Sequence, residues 1–259
     1  MRIVVCVKRS FPPDQSVAID ESGLWILKNA DSNLPSLGRY DELAVEQALS
    51  IRDKNEETTV EVITVGPTKD SAILRRAMGM GACSGIHVIT NDECYISPKI
   101  TANRLSQVIG PRRYDLIMTG AMSDDMAQGL VGPMLAEMLG IRCVTSTADV
   151  LLNNQETIVV KRDIEGATRQ MLEIDLPAVV TVQGCSNKPR YPSLSNIMRA
   201  NSQALQTVDQ GELTENLSVE ALVKLVSPEK NRSIKFLRGS SAEKATELVS
   251  ILKTRGLLS

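Results

Sequence analysis

The sequence predicts an α/β fold: a doubly wound, mainly parallel sheet with added antiparallel strands and an extended C-terminal arm. Three observations carry this. First, β-branched runs that are apolar at nearly every position, such as Ile3-Val4-Val5-Cys6-Val7, alternate with amphipathic segments of helical length. Strands of that kind are covered on both faces, and parallel neighbours need long crossovers, so helices are expected on both sides of the sheet. Second, after Ile141 the alternation stops, and strand-like runs are separated only by polar turns at Asn153-Asn154 and Glu165-Gly166. That pattern belongs to antiparallel strands. Third, from about Asn201 the chain turns polar, with too little apolar content to build a second domain.

The first strand covers residues 2–7; a polar loop with Pro12 and Pro13 follows, then a small hairpin over 18–27 around Glu21-Ser22-Gly23. Residues 41–52 bring Leu43, Ala44, Gln47, Ala48 and Ile51 to helical spacing. A second strand, 60–65, ends at Gly66-Pro67, and a second helix, 71–80, stops at Gly79-Met80-Gly81, where glycine caps a C-terminus. Strand 85–89, helix 98–109, strand 115–119 and helix 132–139 continue the alternation. Strand-like runs at 150–152, 157–163 and 169–176 follow, then the apolar run 176–182. A last amphipathic helix, 241–255, closes the chain through Ala245, Leu248, Val249 and Leu252. The predicted division is an α/β domain over 1–200 and, over 201–259, an arm packed on this chain or on another subunit.

Composition narrows the function. Hydrophobic residues make up 42% of 259, enough for a full core, and no run of about 18 apolar residues predicts a membrane span. The first apolar run soon meets Lys8 and Arg9, so a strand is expected there and not a secretory leader. A net charge of -2 with intermixed signs, and only 3% aromatics, give no case for nucleic acid. The five cysteines form no CxxC pair, which argues against a zinc site or a disulfide framework and fits a reducing cytoplasm. The single histidine, His87, lies in a strand-like run and reads as structural, so histidine triads and multi-histidine metal sites are not expected.

Ligands of such sheets lie at the C-terminal ends of strands, near the reversal in strand order. Three ends can be located: Val7-Lys8, Val65-Gly66-Pro67 and Thr119-Gly120. The last leads into a loop with Gly129 and Gly132 just ahead of a helix, where exposed N–H groups suit a phosphate; an ordinary capped turn is the equal alternative. The loop has no Walker lysine and no GxGxxG spacing. Residues 187–200, framed by Pro189 and Pro192, read as a stiffened loop carrying Leu194, Ile197 and Met198. These three either cap the domain's own core or offer an apolar anchor to a partner.

Taken in order, the motifs resemble one family over nearly the whole chain. Arg2-Ile-Val-Val-Cys-Val-Lys8, Arg39-Tyr-Asp-Glu-Leu-Ala-Val-Glu46, Val65-Gly-Pro67, Ala77-Met-Gly-Met-Gly-Ala82 and Asp115-Leu-Ile-Met-Thr-Gly120 are similar to the β subunit of an electron transfer flavoprotein. So are Val131-Gly-Pro133, Leu176-Pro-Ala-Val-Val-Thr181, Pro189-Arg-Tyr-Pro-Ser-Leu-Ser-Asn-Ile-Met198 and Ser233-Ile-Lys-Phe236 before the closing helix.

The resemblance implies a Rossmann-like, adenine-nucleotide-binding domain in a heterodimer whose larger α subunit holds the redox-active FAD. It implies an electron carrier without catalytic residues of its own or a metal, working between a flavin-dependent dehydrogenase of the acyl-CoA dehydrogenase type and a redox acceptor. The β subunit would bind AMP, or a second FAD in electron-bifurcating members. Carried over by position, that site comprises Cys6, Gly38, Arg39, Tyr40, Asp41 and Val65 with the loop Ser123, Asp124, Asp125, Met126, Ala127, Gln128, Gly129, Leu130, Val131, Gly132, Pro133 and Met134. The partner-binding set is Arg190, Tyr191, Leu194, Ile197 and Met198, with Asp163 holding the mobile flavin domain by a charge contact. The chain departs from the family pattern in the loop, where Asp125 falls on the first acidic position and Ala127 on the second, and at Gly38, where asparagine is usual. It thus resembles a divergent branch, including members tied to carnitine-type anaerobic pathways. A nucleotide sensor or hydrolase-like domain without a redox role is the alternative, and it has no use for the Leu194 segment.

Overall fold

The structure, a computed structural model, describes residues 1–11, 18–25, 36–91, 95–165, 168–214, 221–227 and 234–258. Pro12, Pro13, the end of the expected hairpin at 26–27, Cys94, Gly166 and Ser233 lie outside the described residues. The chain divides into two units, Met1–Leu225 and Val226–Ser259.

In the first unit β1 (Arg2–Cys6) leads to a two-strand ribbon of β2 (Arg9–Ser10) and β3 (Ser36–Leu37). Then come α1 (Arg39–Lys54), β4 (Thr59–Gly66), α2 (Ser71–Met80), β5 (Ser84–Ile89), α3 (Pro98–Ile109), β6 (Leu116–Gly120) and α4 (Val131–Leu139). They are followed by β7 (Arg142–Leu152), β8 (Thr157–Ile164), β9 (Thr168–Asp175), β10 (Ala178–Val182), α5 (Leu194–Ser202) and β11 (Gln206–Asp209). The nine-stranded sheet has the order β11-β5-β4-β1-β6-β10-β7-β8-β9. It is parallel from β11 through β10 to the first half of β7, and antiparallel across β8 and β9.

Both faces are covered, which is why β1 is apolar at every inner position. Ile3, Val5 and Val7 pack with Ala44, Leu49, Leu74 and Met78 of α1 and α2 on one side. Val4 and Cys6 pack with Leu105, Ile109 and Leu135 of α3 and α4 on the other. The same alternation splits Leu116 and Met118 from Ile117 in β6.

Three segments differ from the sequence expectation. Residues 194–202 are a helix, not a loop: Pro189 and Pro192 precede its first turn, where they remove no helical bond, and Ser193 Oγ accepts from Asn196 N at 3.3 Å as the cap. β7 begins at Arg142, eight residues before the expected run, because Thr, Ser and Asp in 145–149 hide its periodicity. Ser146 there adopts a left-handed φ of 56°, the register slips against β10, and the strand changes from a parallel to an antiparallel neighbour. Finally, Gln206–Asp209, expected in the arm, joins the sheet as a parallel edge strand beside β5.

The second unit carries α6 (Ser241–Thr254), started by a capping box in which Ser240 and Glu243 satisfy each other's backbone N–H. Ile234, Phe236 and Leu257 are exposed. Among the described residues no helix is long and apolar enough to cross a membrane, and no cluster of metal-ligating side chains occurs.

Candidate functional site

The C-terminal ends of β4, β1 and β6 lie side by side. From β1 the chain moves to β4 and β5 in one direction, whereas β6 is added on the opposite edge. The order therefore reverses between β1 and β6, and the loops leaving these strands diverge there. A cavity fills the gap, walled by Cys6, Asp41, Val65, Ser123, Asp125, Met126, Gln128, Gly129, Leu130, Val131 and Gly132. Gly38, Arg39, Tyr40, Asp124, Ala127, Pro133 and Met134 belong to the same segments but do not line the cavity. The three strand ends located in the sequence are thus brought together.

Asp41, in the first turn of α1, is the hinge of this site. Its buried carboxylate accepts from Lys8 N at 2.7 Å and from Gly120 N at 3.1 Å, tying the ends of β1 and β6 to α1. Gly120 must be glycine, because a Cβ there would lie 2.4 Å from Asp41 Oδ1 and 2.9 Å from Tyr40 Cβ. Burial pushes the Asp41 carboxyl up from 3.8 to about 7, although the two N–H groups and the Lys8 charge pull the other way. Burial and then the Asp41 charge also hold the Cys6 thiol far above its usual range, so it stays protonated and inert.

The loop after β6 is strapped to the two other segments by its adjacent acids. Asp125 takes Lys8 Nζ at 2.6 and 2.7 Å, one bond to each oxygen. Asp124 accepts from Arg39 N at 2.9 Å, at the start of α1. The turn closes through Ala127 N to Ser123 O at 2.9 Å, with left-handed φ of 50° at Ala127 and 63° at Gly129. Gln128 Nε2 reaches Tyr95 Oη at 3.3 Å across the cavity mouth.

α4 then begins without a side-chain cap at Leu130, and Pro133 offers no N–H; Val131 and Gly132, whose N–H groups lie in the first turn, line the cavity. Gly132 lets the helix sit directly on the sheet: a Cβ would lie 2.5 Å from Thr181 Cγ2 and 2.9 Å from Thr119 Oγ1. An uncapped helix start behind a turn with two left-handed residues suits an anionic group, and a phosphate fits that chemistry. Arg9 and Asp70 also wall the cavity and were missed by sequence reasoning, as was Lys8 as a binding residue, although its strand end was located. Lys8 follows directly on the first strand end, and that adjacency was the signal available.

The other predicted residues lie elsewhere. Tyr191, Leu194 and Met198 are 84%, 74% and 65% exposed, forming an outward ridge at the start of α5. Ile197 is half-buried and, with Pro192, rests on Gly79 of α2, while Ala200 enters the core. Arg190 turns inward: Nε and Nη2 fork onto Glu46 at 2.8 and 2.9 Å, its backbone N reaches Glu46 Oε2 at 3.0 Å, and Nη2 meets Asp53 at 2.8 Å. Of the two readings of Leu194, exposure excludes a core role. Asp163, on β8, is exposed and pairs with Arg169 of β9 at 2.9 Å.

Sequence comparison decides the family. The model for the electron transfer flavoprotein domain matches residues 27–213, more than half of the chain. The chain belongs to the electron transfer flavoprotein family. It is 30% identical over 265 residues to the electron transfer flavoprotein subunit beta of Bacillus subtilis, covering 98% of each chain. It is 31% identical to the subunit beta of Mus musculus, covering 99% of this chain and 98% of that one. The mitochondrial subunit beta of Oryza sativa subsp. japonica is also 31% identical, with 98% of each covered. Within the electron transfer flavoprotein family the chain therefore sides with the β subunits, in flavoprotein-based electron transport.

Proposed function

We propose that the chain is the β subunit of a heterodimeric electron transfer flavoprotein. It carries electrons between a flavin-dependent dehydrogenase of the acyl-CoA dehydrogenase type and a redox acceptor, through FAD held with an α subunit. The observation that carries this is similarity to β subunits over nearly the full length, joined to the exposed apolar residues Tyr191, Leu194 and Met198 close together in the chain. A partner that docks and leaves repeatedly needs a small contact with an apolar centre, and Leu194 supplies one. Arg190 then holds the ridge in place instead of touching the partner. Asp163 is assigned the charge contact to the flavin domain, for which it must exchange Arg169. The exposed apolar residues of the second unit, Ile234, Phe236 and Leu257, supply the surface by which the arm packs on the α subunit.

The cavity between β1 and β6 is assigned an adenine nucleotide, AMP or a second FAD. Its phosphate would lie at the start of α4, on Gly129, Val131 and Gly132, held by backbone N–H groups. FAD supplies the one- and two-electron chemistry when bound. This chain's own residues orient the ligand and keep water from it: Asp41 fixes the three segments, and the Asp124 and Asp125 strap closes the loop. A sensor or hydrolase-like role finds no support in a ridge aimed outward, away from the cavity residues.

The test is co-expression with an electron transfer flavoprotein α subunit from the same source, followed by an absorbance spectrum and quantified release of flavin and AMP on denaturation. A yellow heterodimer with one FAD and one AMP, or with two FAD, is expected. A colourless chain that binds no larger flavoprotein partner would refute the reading.

A further inference from the structure

The charge inventory of the cavity carries one step more. Its wall bears two cations, Lys8 and Arg9, against three carboxylates, Asp41, Asp70 and Asp125. Both cations are already paired with acids of that wall, so an anionic guest gains a cation only if one of them changes partner. Arg9 is not free to do so: its Nε lies 2.7 Å from Oδ1 of Asp70, a side chain only 7% exposed. Arg39 pairs with Asp124 off the cavity wall. Lys8 differs from both. Its side chain is 46% exposed, about twice that of Arg9, and its partner Asp125 sits in the loop after β6, so water can take over the ammonium while it changes partner. A compact ammonium on a four-carbon stem also swings more easily than a guanidinium fork.

We propose that Lys8 receives the phosphate of the nucleotide, releasing Asp125 as it does so. The assignment rests on the nucleotide reading of this cavity. Asp125 holds the place on Lys8 that the phosphate would take: both its oxygens take Lys8 Nζ, and the two residues line the same cavity as Val131 and Gly132 at the start of α4. The two acceptors compete for one ammonium, so Lys8 and Asp125 act on phosphate affinity with opposite signs.

The experiment uses the heterodimer stripped of nucleotide, titrated calorimetrically with AMP and, separately, with adenosine. The ratio of the two affinities isolates the phosphate and cancels any general loosening of the fold. Lys8→Met is expected to lower that ratio about tenfold, the scale of one charge contact in a partly screened site, and Lys8→Arg to restore most of it. Asp125→Asn, or Asp125→Ser if the first variant folds poorly, is expected to raise the ratio several-fold. A ratio unchanged in the Lys8 variant, or lowered in the Asp125 variants, overturns the Lys8 assignment while leaving the nucleotide site standing. A wild-type heterodimer whose β subunit binds neither AMP, adenosine nor FAD defeats the nucleotide reading and this assignment with it.

Discussion

Glu46 is the residue on which the outward ridge depends. Its side chain is 4% exposed and takes the Nε and Nη2 groups of Arg190 together with the backbone N–H of residue 190, with Ser50 Oγ adding a bond at 3.3 Å. Glu46→Gln keeps the volume but turns an amide toward a guanidinium that stays in place. Removing one partner of a fully buried pair costs about 3–5 kcal/mol; because Arg190 is 32% exposed, water recovers part of this, and about 2 kcal/mol is expected. For a domain of this size that is a fall in Tm of about 4–8 °C. Asp53 also pairs with Arg190 but is 45% exposed, so Asp53→Asn should cost under about 1 kcal/mol. Burial raises the Glu46 carboxyl, but the Arg190 bonds outweigh it and hold it below its ordinary 4.5. Stability from a depressed acid is present above that unfolded value and is lost as pH falls through the lower folded one, so the gap between wild type and Glu46→Gln should close in acid. Urea denaturation of both variants across pH, with hydrogen exchange at the amides of residues 190–194, measures each part. Equal cost for Glu46→Gln and Asp53→Asn, or a gap that persists in acid, would falsify the burial argument.

Two further outcomes are expected. Leu194→Ala should leave stability within about 0.5 kcal/mol of wild type, since the side chain is 74% exposed, while slowing reduction by the partner dehydrogenase in stopped-flow mixing; unchanged transfer would refute the docking role. For Asp41 the sign runs opposite to Glu46. Its folded value is raised from 3.8 to about 7, so between those values the folded state keeps a proton that the unfolded chain has lost, and stability falls as pH rises through that window. Asp41→Asn should flatten this slope in urea midpoints measured near pH 5 and 7; an unaltered slope would assign the titration to another group.

How much was legible in the sequence varies by residue. The inner positions of β1 announced a strand covered on both faces, and the cores on its two sides alternate as Ile3, Val5 and Val7 against Val4 and Cys6. The strand ends at Val7, Val65 and Thr119 identified the crevice because position at a strand terminus is a local property, and the order reversal follows from the alternation. α5 was missed because prolines were weighed by presence and not by their place before the first turn. β11 is not legible because a four-residue edge strand with a single apolar position, Val208, carries no periodic signal. Asp124, Asp125, Arg39 and Lys8 are all visible in the sequence, but their pairing is not, since Lys8 and Asp125 lie 117 residues apart and Arg39 and Asp124 85.

By itself, then, the sequence determined the α/β class, most helices and strands, the strand ends that form a cavity, and the family. It did so because periodicity, β-branching and short motifs are read within a few turns of chain. Tertiary structure alone decided which way side chains face and whom they meet: Leu194 outward, Arg190 inward on Glu46 across 144 positions, and Asp41 bridging the N–H groups of Lys8 and Gly120. Burial and pairing between distant segments set those energies, and neither is written in any local stretch of residues.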